Sequence, residues 1–339
     1  MRKARQGNTE YPPPTNRLVL YFLSLAAITG LAVGIVLLRI RVDPLPLAAV
    51  LGALALVLSA FAGLGYPGLT RQLRHWATAS AWAAFGMPFL LLVPYFLFTL
   101  GTHTFSPVAA AKLAAYILVP TALLLPDRLR SAENLGWRDL AAMLALALPV
   151  GAHWLQGIWT WPEDLYFFRP LITVCVGGYG FLVLRNLEGV GYRIVFRRWD
   201  FVDGFLNFLA FSLLAIPLGL YLNFLHPHAS HFSPGHFGFQ LYGIYLTIAL
   251  PEEFLFRGIL QNFLVKSIRH PRGSLYGLLI ASVVFGAAHL HHPPMPNWRY
   301  GILATLAGIF YGNAYRARQR LTASALTHTL VDTTWHFWF

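Results

Sequence analysis

Residues 45–66 read LPLAAVLGALALVLSAFAGLGY, twenty-two consecutive positions without a charge. A helix rises about 1.5 Å per residue, so roughly 20 apolar residues cover the hydrocarbon thickness of a bilayer. Runs of this kind recur along the whole chain. The first lies near Leu18–Leu38, and Leu45–Tyr66 is followed by Ala79–Gly101, Pro107–Leu125, Leu140–Leu155 and Pro170–Leu184. Five more lie near Phe201–Leu225, Phe239–Leu264, Leu275–His289, Tyr300–Tyr315 and Ala323–Trp338. The expected fold is all-α, a polytopic transmembrane helical bundle of about eleven spans.

Composition agrees. Of 339 residues, 57% are hydrophobic and 11% charged, and the mean hydropathy is +0.56. A soluble domain carries about a quarter charged residues. The 10 Trp, 15 Tyr and 26 Phe suit a membrane interface, where rings with a polar edge collect. The net charge of +12 is scattered through the gaps between apolar runs rather than gathered on one face, which argues against a nucleic-acid partner. The single cysteine, Cys175, lies in an apolar run, excludes an internal disulfide or a zinc thiolate cluster, and reads as a small buried hydrophobe.

The basic residues also orient the spans. With the N-terminus cytoplasmic, nineteen lysines and arginines fall in inside segments and five outside, while Arg257 falls within a span. The first apolar run is followed almost at once by the second, so it reads as a retained anchor, not a cleaved signal peptide. The stretch Gly189–Asp203 separates 1–198, accessory helices, from 199–339, the segment that carries the chemistry. The expected location is an integral protein of a bacterial inner membrane, with membrane lipid around it.

An ionisable group inside a span costs roughly 2.5–3.5 kcal/mol on insertion scales. The first 200 residues place almost none there, whereas the last 100 place Glu252, Glu253, Arg257, His289, His328, Asp332 and His336. Glu253 and Arg257 are spaced i, i+4 and can pair on one helix face. Glu252 points about 100° away, toward the face of Phe256, with no such partner. Pro251 removes a backbone donor and frees the carbonyl of Thr247, so a kink is expected just before the pair. His289 ends a span kept slim by Gly286, Ala287 and Ala288. His291 and His292 adjoin Pro293 and Pro294 and read as solvated loop residues. His328 and Asp332 are again i, i+4, so the carboxyl group can orient the imidazole. His336 reads as part of an interfacial belt with Trp335 and Trp338. Structural roles stand beside these readings: an interhelical salt bridge for Glu253 and Arg257, and a polar contact for His328 and Asp332. Were the groups to converge, they would suit water activation by a carboxylate base. No GxSxG or HExxH motif is present.

Glu252-Glu253-x-x-x-Arg257, Phe285-x-x-x-His289 and His328-x-x-x-Asp332, in that order, resemble the EExxxR, FxxxH and HxxxN/D motifs of the CPBP family, the CAAX proteases and bacteriocin-processing proteins also called the Abi family. Gly301, Gly308 and Gly312 on the helix before the last motif add to the likeness, which covers about Gly238 to His336. The resemblance implies a glutamic-type intramembrane endopeptidase like the type II CAAX prenyl endopeptidases, needing no cofactor. Glu252 and His289 would then activate a water, His328 with Asp332 would hold the oxyanion, and Glu253 with Arg257 would brace the site. Many members have Asn at the last position. An ionised Asp332 is a poor neighbour for an oxyanion, so it is either protonated or acts by orienting His328.

The implied substrate is a membrane-associated peptide or protein. The alternatives are a zinc-dependent protease on the same residues, a non-catalytic immunity or scaffold protein, and a transporter. A transporter would spread its charges over two matching halves. Here they fill one half only. The basic asymmetry makes a direct prediction: a topology reporter fused after Arg320 reads cytoplasmic and one fused after Phe339 reads external, and the reversed pair would refute this orientation.

Overall fold

The computed structural model describes residues 43–228 and 232–339, together with a few positions between 19 and 34. The expected first span, Leu18–Leu38, and the basic residues of the N-terminal tail lie outside the described residues or are described only in part. The rest is helical, with no strand among the described residues. In chain order the helices are α1 (Pro44–Leu64), α2 (Pro67–Ala79), α3 (Ala81–Thr102), α4 (Pro107–Leu124), α5 (Trp137–Gly151) and α6 (Phe168–Leu184). They are followed by α7 (Arg198–Tyr221), α8 (residues 234–267), α9 (Gly273–Ala288), α10 (Trp298–Arg318) and α11 (Leu321–Trp338).

The boundaries follow local chemistry. Pro at the first helical position starts α1, α2 and α4, where its missing N–H costs nothing. Ser106 Oγ accepts from Ala109 N ahead of α4, and Asn297 Oδ1 accepts from Tyr300 N ahead of α10. Asp139 and Asp200 reach back to backbone N–H groups at the starts of α5 and α7, at 2.9 and 2.8 Å. Each also meets an arginine at 2.6 Å, Arg185 and Arg320 respectively. The Asp200–Arg320 pair ties the start of α7 to the residue that precedes α11, and so fixes where α11 begins.

Two features set the packing around α8. The helices α9 and α10 run in close contact because glycine lets them: a Cβ on Gly308 would stand 2.9 Å from Ser282 Cα, and one on Gly286 would collide with Thr305 and the Gly301 carbonyl. On the opposite side, the chain after α6 wraps α8. Asn262 Nδ2 donates to the Glu188 carbonyl at 2.8 Å, and Tyr192 meets Phe254 edge-on. The helix between is irregular. Pro234–Ile244, Leu250–Glu253 and Asn262–Ser267 are α-helical, joined by π-helical Tyr245–Ala249 and Phe254–Gln261. The kink expected from Pro251 thus takes the form of a π-helical segment directly before the proline.

Among the described residues, four helices are long and apolar enough to cross a membrane: Pro44–Leu64, Ala81–Thr102, Pro107–Asp127 and Arg198–Tyr221. Phe168–Leu184 and Gly273–Ala288 are apolar but shorter. Every expected span from Leu45 onward coincides with a helix, but a helix at each position does not make each one a crossing. The gap between the second and third apolar runs, 67–78, forms the helix α2: Pro67 starts it, and Arg74 spends its guanidinium on the Val183 and Leu184 carbonyls at the end of α6.

Asp200 is fully buried and Arg320 nearly so. Removing one partner of such a pair strands a buried charge, at a cost of about 3–5 kcal/mol. Asp200→Asn is therefore expected to lower the thermal midpoint in detergent markedly, measured by tryptophan fluorescence. An unchanged midpoint would refute the role of this tie.

Candidate active site

The site is built from four helices, with Glu253 at its centre. Glu253 lies on the short α-helical turn between the two π-helical segments of α8 and is 0% exposed. A carboxylate there requires partners on every side. Its Oε2 stands 3.1 Å from Arg257 Nε, the i, i+4 partner, and accepts a very short hydrogen bond from Ser324 Oγ. Its Oε1 faces His328 Nδ1 at 2.9 Å. Arg257 is also 0% exposed. Its guanidinium lies 4.4 Å from the Phe285 ring centroid, with Tyr311 at 5.5 Å, and reaches the Gly308 carbonyl at 3.4 Å.

His328 is the hub of the other half. With Nδ1 turned to Glu253, its Nε2 stands 3.3 Å from Asp332 Oδ2 and 4.0 Å from Glu252 Oε2. The ring stacks on Tyr311 at 4.5 Å and 18° and meets Phe285 edge-on. Carboxylates thus face both ring nitrogens. Glu252 differs from its neighbour: its side chain is 34% exposed, and Oε2, although covered, has no hydrogen-bond partner among the described residues.

His289 stands apart. Its Nδ1 lies 2.7 Å from the Phe285 carbonyl, one turn back. A carbonyl only accepts, so Nδ1 carries the proton and the lone pair of the neutral ring is left on Nε2. The ring packs on Phe285 at 4.5 Å and on Tyr300 at 4.8 Å. No hydrogen bond or ion pair joins His289 to Glu252 among the described residues. The two share a neighbourhood instead. A cavity of about 80 Å³, roomy enough for several waters, is lined by His289, His328, Asp332, Phe285, Tyr300 and Tyr311 with further apolar side chains from α7 and α10. Glu252, Glu253 and Arg257 do not line this cavity; Glu252 is linked to it through the lining residue His328, at 4.0 Å. Among the described residues no three His, Cys, Asp or Glu side chains converge in a metal-binding arrangement.

Residues 234–334 match the family model described as type II CAAX prenyl endopeptidase Rce1-like. Over these residues the chain is similar to the type II CAAX prenyl endopeptidases. The matched stretch runs from the start of α8 almost to the end of α11 and includes every residue of the site. The likeness points to a membrane-associated protease. No curated protein and no solved structure matches the chain.

Of the six residues singled out in the sequence, five meet directly: Glu253 with Arg257 and His328, and His328 with Asp332 and, more loosely, Glu252. His289 joins them through the cavity. The loop placement of His291 and His292 and the end-of-helix placement of His336 also match the sequence reading. That reading misses two contributors. Ser324 precedes His328 as His328 precedes Asp332, so all three share one stripe of α11 at four-residue spacing, a signal available in LTASALTHTLVD. Tyr311, one of many aromatics on an apolar helix, carries no such signal.

This arrangement makes Glu253 chiefly a structural charge. Glu253→Gln should lower folded yield and thermal midpoint, on the order of 3–5 kcal/mol. Ser324→Ala, which removes one of three partners, should lower both by less. Equal stability of Glu253→Gln and wild type would contradict the buried array.

Proposed function

We propose that the chain is an intramembrane endopeptidase that hydrolyses a peptide bond of a membrane-associated peptide with a water activated by Glu252 and His289. The observation that carries this reading is the division of labour between adjacent carboxylates. Glu253 is consumed by Arg257, Ser324 and His328, whereas Glu252 keeps an unpartnered oxygen 4.0 Å from His328, which lines the cavity. A base must have a free lone pair within reach of its proton. Glu252 has one. His289 Nε2 has another, and the match to the CAAX protease family supports hydrolysis as the reaction.

In the proposed step Glu252 takes a proton from water, and the hydroxide oxygen bonds to the carbonyl carbon, sending the π pair to the carbonyl oxygen. That oxyanion collapses, the C–N bond breaks, and the leaving nitrogen takes the proton held by Glu252. His289 Nε2 accepts from the water and fixes its approach. His328 is anchored through Nδ1, and its Nε2–H faces Asp332 at 3.3 Å on the cavity wall, where an oxyanion would share it. The apolar lining from Phe208, Phe211 and Leu303 suits a substrate segment that arrives from lipid.

The same reading proposes eleven spans with the N-terminus cytoplasmic in a bacterial inner membrane, residues 1–198 as accessory helices and 199–339 as the protease core. The CAAX character of the family makes a prenylated C-terminal peptide the first substrate to try. Zinc is the second reading. The donor set disfavours it: His328 turns both nitrogens to carboxylates, and no three ligand side chains converge among the described residues.

The test compares turnover of a quenched fluorescent peptide, with and without a farnesyl group, in detergent. Glu252→Gln is nearly isosteric, so it should fold as wild type and lose activity by several orders of magnitude. An active Glu252→Gln would overturn the assignment, and an inactive wild type on both peptides would favour a non-catalytic role. Wild-type activity should also survive a chelator. Stoichiometric zinc, lost and regained together with activity, would install the metal reading.

A further inference from the structure

The geometry points to Tyr300 as a further catalytic residue, its hydroxyl donating a hydrogen bond to the carbonyl oxygen of the scissile bond as that oxygen gains charge. This rests on the proposed hydrolysis and supplies what that mechanism lacks. A developing oxyanion in an apolar cavity needs donors aimed at it. His328 offers one N–H, but Asp332, at the position where the family pattern allows Asn, has no donor to add while ionised.

Tyr300 is placed to fill that gap. Its backbone N–H is held by the Asn297 cap at 3.0 Å, which fixes the first turn of α10. Its ring sits in an aromatic cage of His289 at 4.8 Å, His292 at 5.1 Å, and Phe224 and Trp335 at 5.4 Å. Tyr300 lines the cavity together with His289, His328 and Asp332, and its hydroxyl is the one polar atom of its side chain. The carboxylates of Asp332 and Glu252 lie within electrostatic reach of that hydroxyl, and no protein group hydrogen-bonds to it among the described residues.

Five buried tyrosines behave differently, whereas neither Tyr300 nor the buried Tyr311 has a hydrogen bond at its hydroxyl among the described residues. Tyr95, Tyr116, Tyr179, Tyr192 and Tyr315 each give their hydroxyl proton to a backbone carbonyl of another element, as a packing residue in an apolar interior must. Tyr300 has no such acceptor. An unspent donor beside the proposed base, facing a cavity that admits water and substrate, is a binding group for a substrate oxygen. Tyr311 also lines the cavity, but it is 2% exposed and lies flat against His328, where it serves as the bearing for that ring.

Tyr300→Phe keeps the ring and its cage and removes only the donor. With the peptide that wild type cleaves, kcat should fall on the order of 10²-fold while KM is unchanged. A phosphinate analogue of that peptide, whose tetrahedral oxygen mimics the oxyanion, should lose affinity by a similar factor. The uncleaved peptide should bind Glu252→Gln and Glu252→Gln/Tyr300→Phe equally. Full kcat in Tyr300→Phe overturns the assignment, as does a loss in KM alone. A kcat loss in Tyr311→Phe with none in Tyr300→Phe also overturns it and moves the donor to Tyr311. Wild type inactive on every peptide would sink the hydrolysis reading itself, an outcome distinct from these.

Discussion

A negative charge with no access to water must be answered on every side, and Glu253 is such a charge. Its two oxygens take up Arg257 from the same helix and Ser324 and His328 from another, so one buried carboxylate fixes the relation of α8 to α11. Arg257 in turn lies against Phe285 of α9 and reaches the Gly308 carbonyl of α10. Four helices therefore register on one ion pair. Burying it is expensive, and a well-packed apolar substitute would often be no less stable. Its value lies in specificity: the array joins Glu253 to Arg257, Ser324 and His328 in one geometry, and that geometry sets the ring of His328, which lines the cavity.

The cost appears in the helices themselves. The helices α10 and α11 carry Thr, Ser, His, Asp and Arg and fall short of the apolarity that marks Pro44–Leu64 as a spanning segment. Their polar groups face inward instead, with Thr322, Ser324, Thr327 and His328 nearly or fully buried. Packing against α8 and α7 makes this tolerable. The Asp200–Arg320 tie at the base of α11 and the glycine contact between α9 and α10 hold those helices close enough that water is kept out where it would compete, while the cavity stays open to it.

Much of this was legible in the chain. The i, i+4 spacings of Glu253 with Arg257 and of His328 with Asp332 demanded contacts within a helix, and helix geometry alone delivers them at 3.1 and 3.3 Å. The small residues Gly286, Ala287 and Ala288 announced a close helix approach, and Gly286 lies against α10. Contacts between helices were not legible, because no local period encodes which nitrogen of His328 meets Glu253 or that Tyr311 stacks beneath it. The gap at 67–78 gave no sign of its structure: it is a helix too short to span, and Arg74 turns to the carbonyls at the end of α6. Tyr300 was invisible because its distinction is an absence, a hydroxyl without a partner, which only coordinates reveal.

The central claim is that a carboxylate and an imidazole, not a metal, hold the reacting water. An experimental structure with density resolved in the cavity, combined with anomalous scattering recorded across the zinc edge, tests it most directly. The account predicts a water within about 2.6–3.2 Å of both a Glu252 oxygen and His289 Nε2, with no anomalous signal. An anomalous peak at about 2.0–2.2 Å from those same atoms would contradict it.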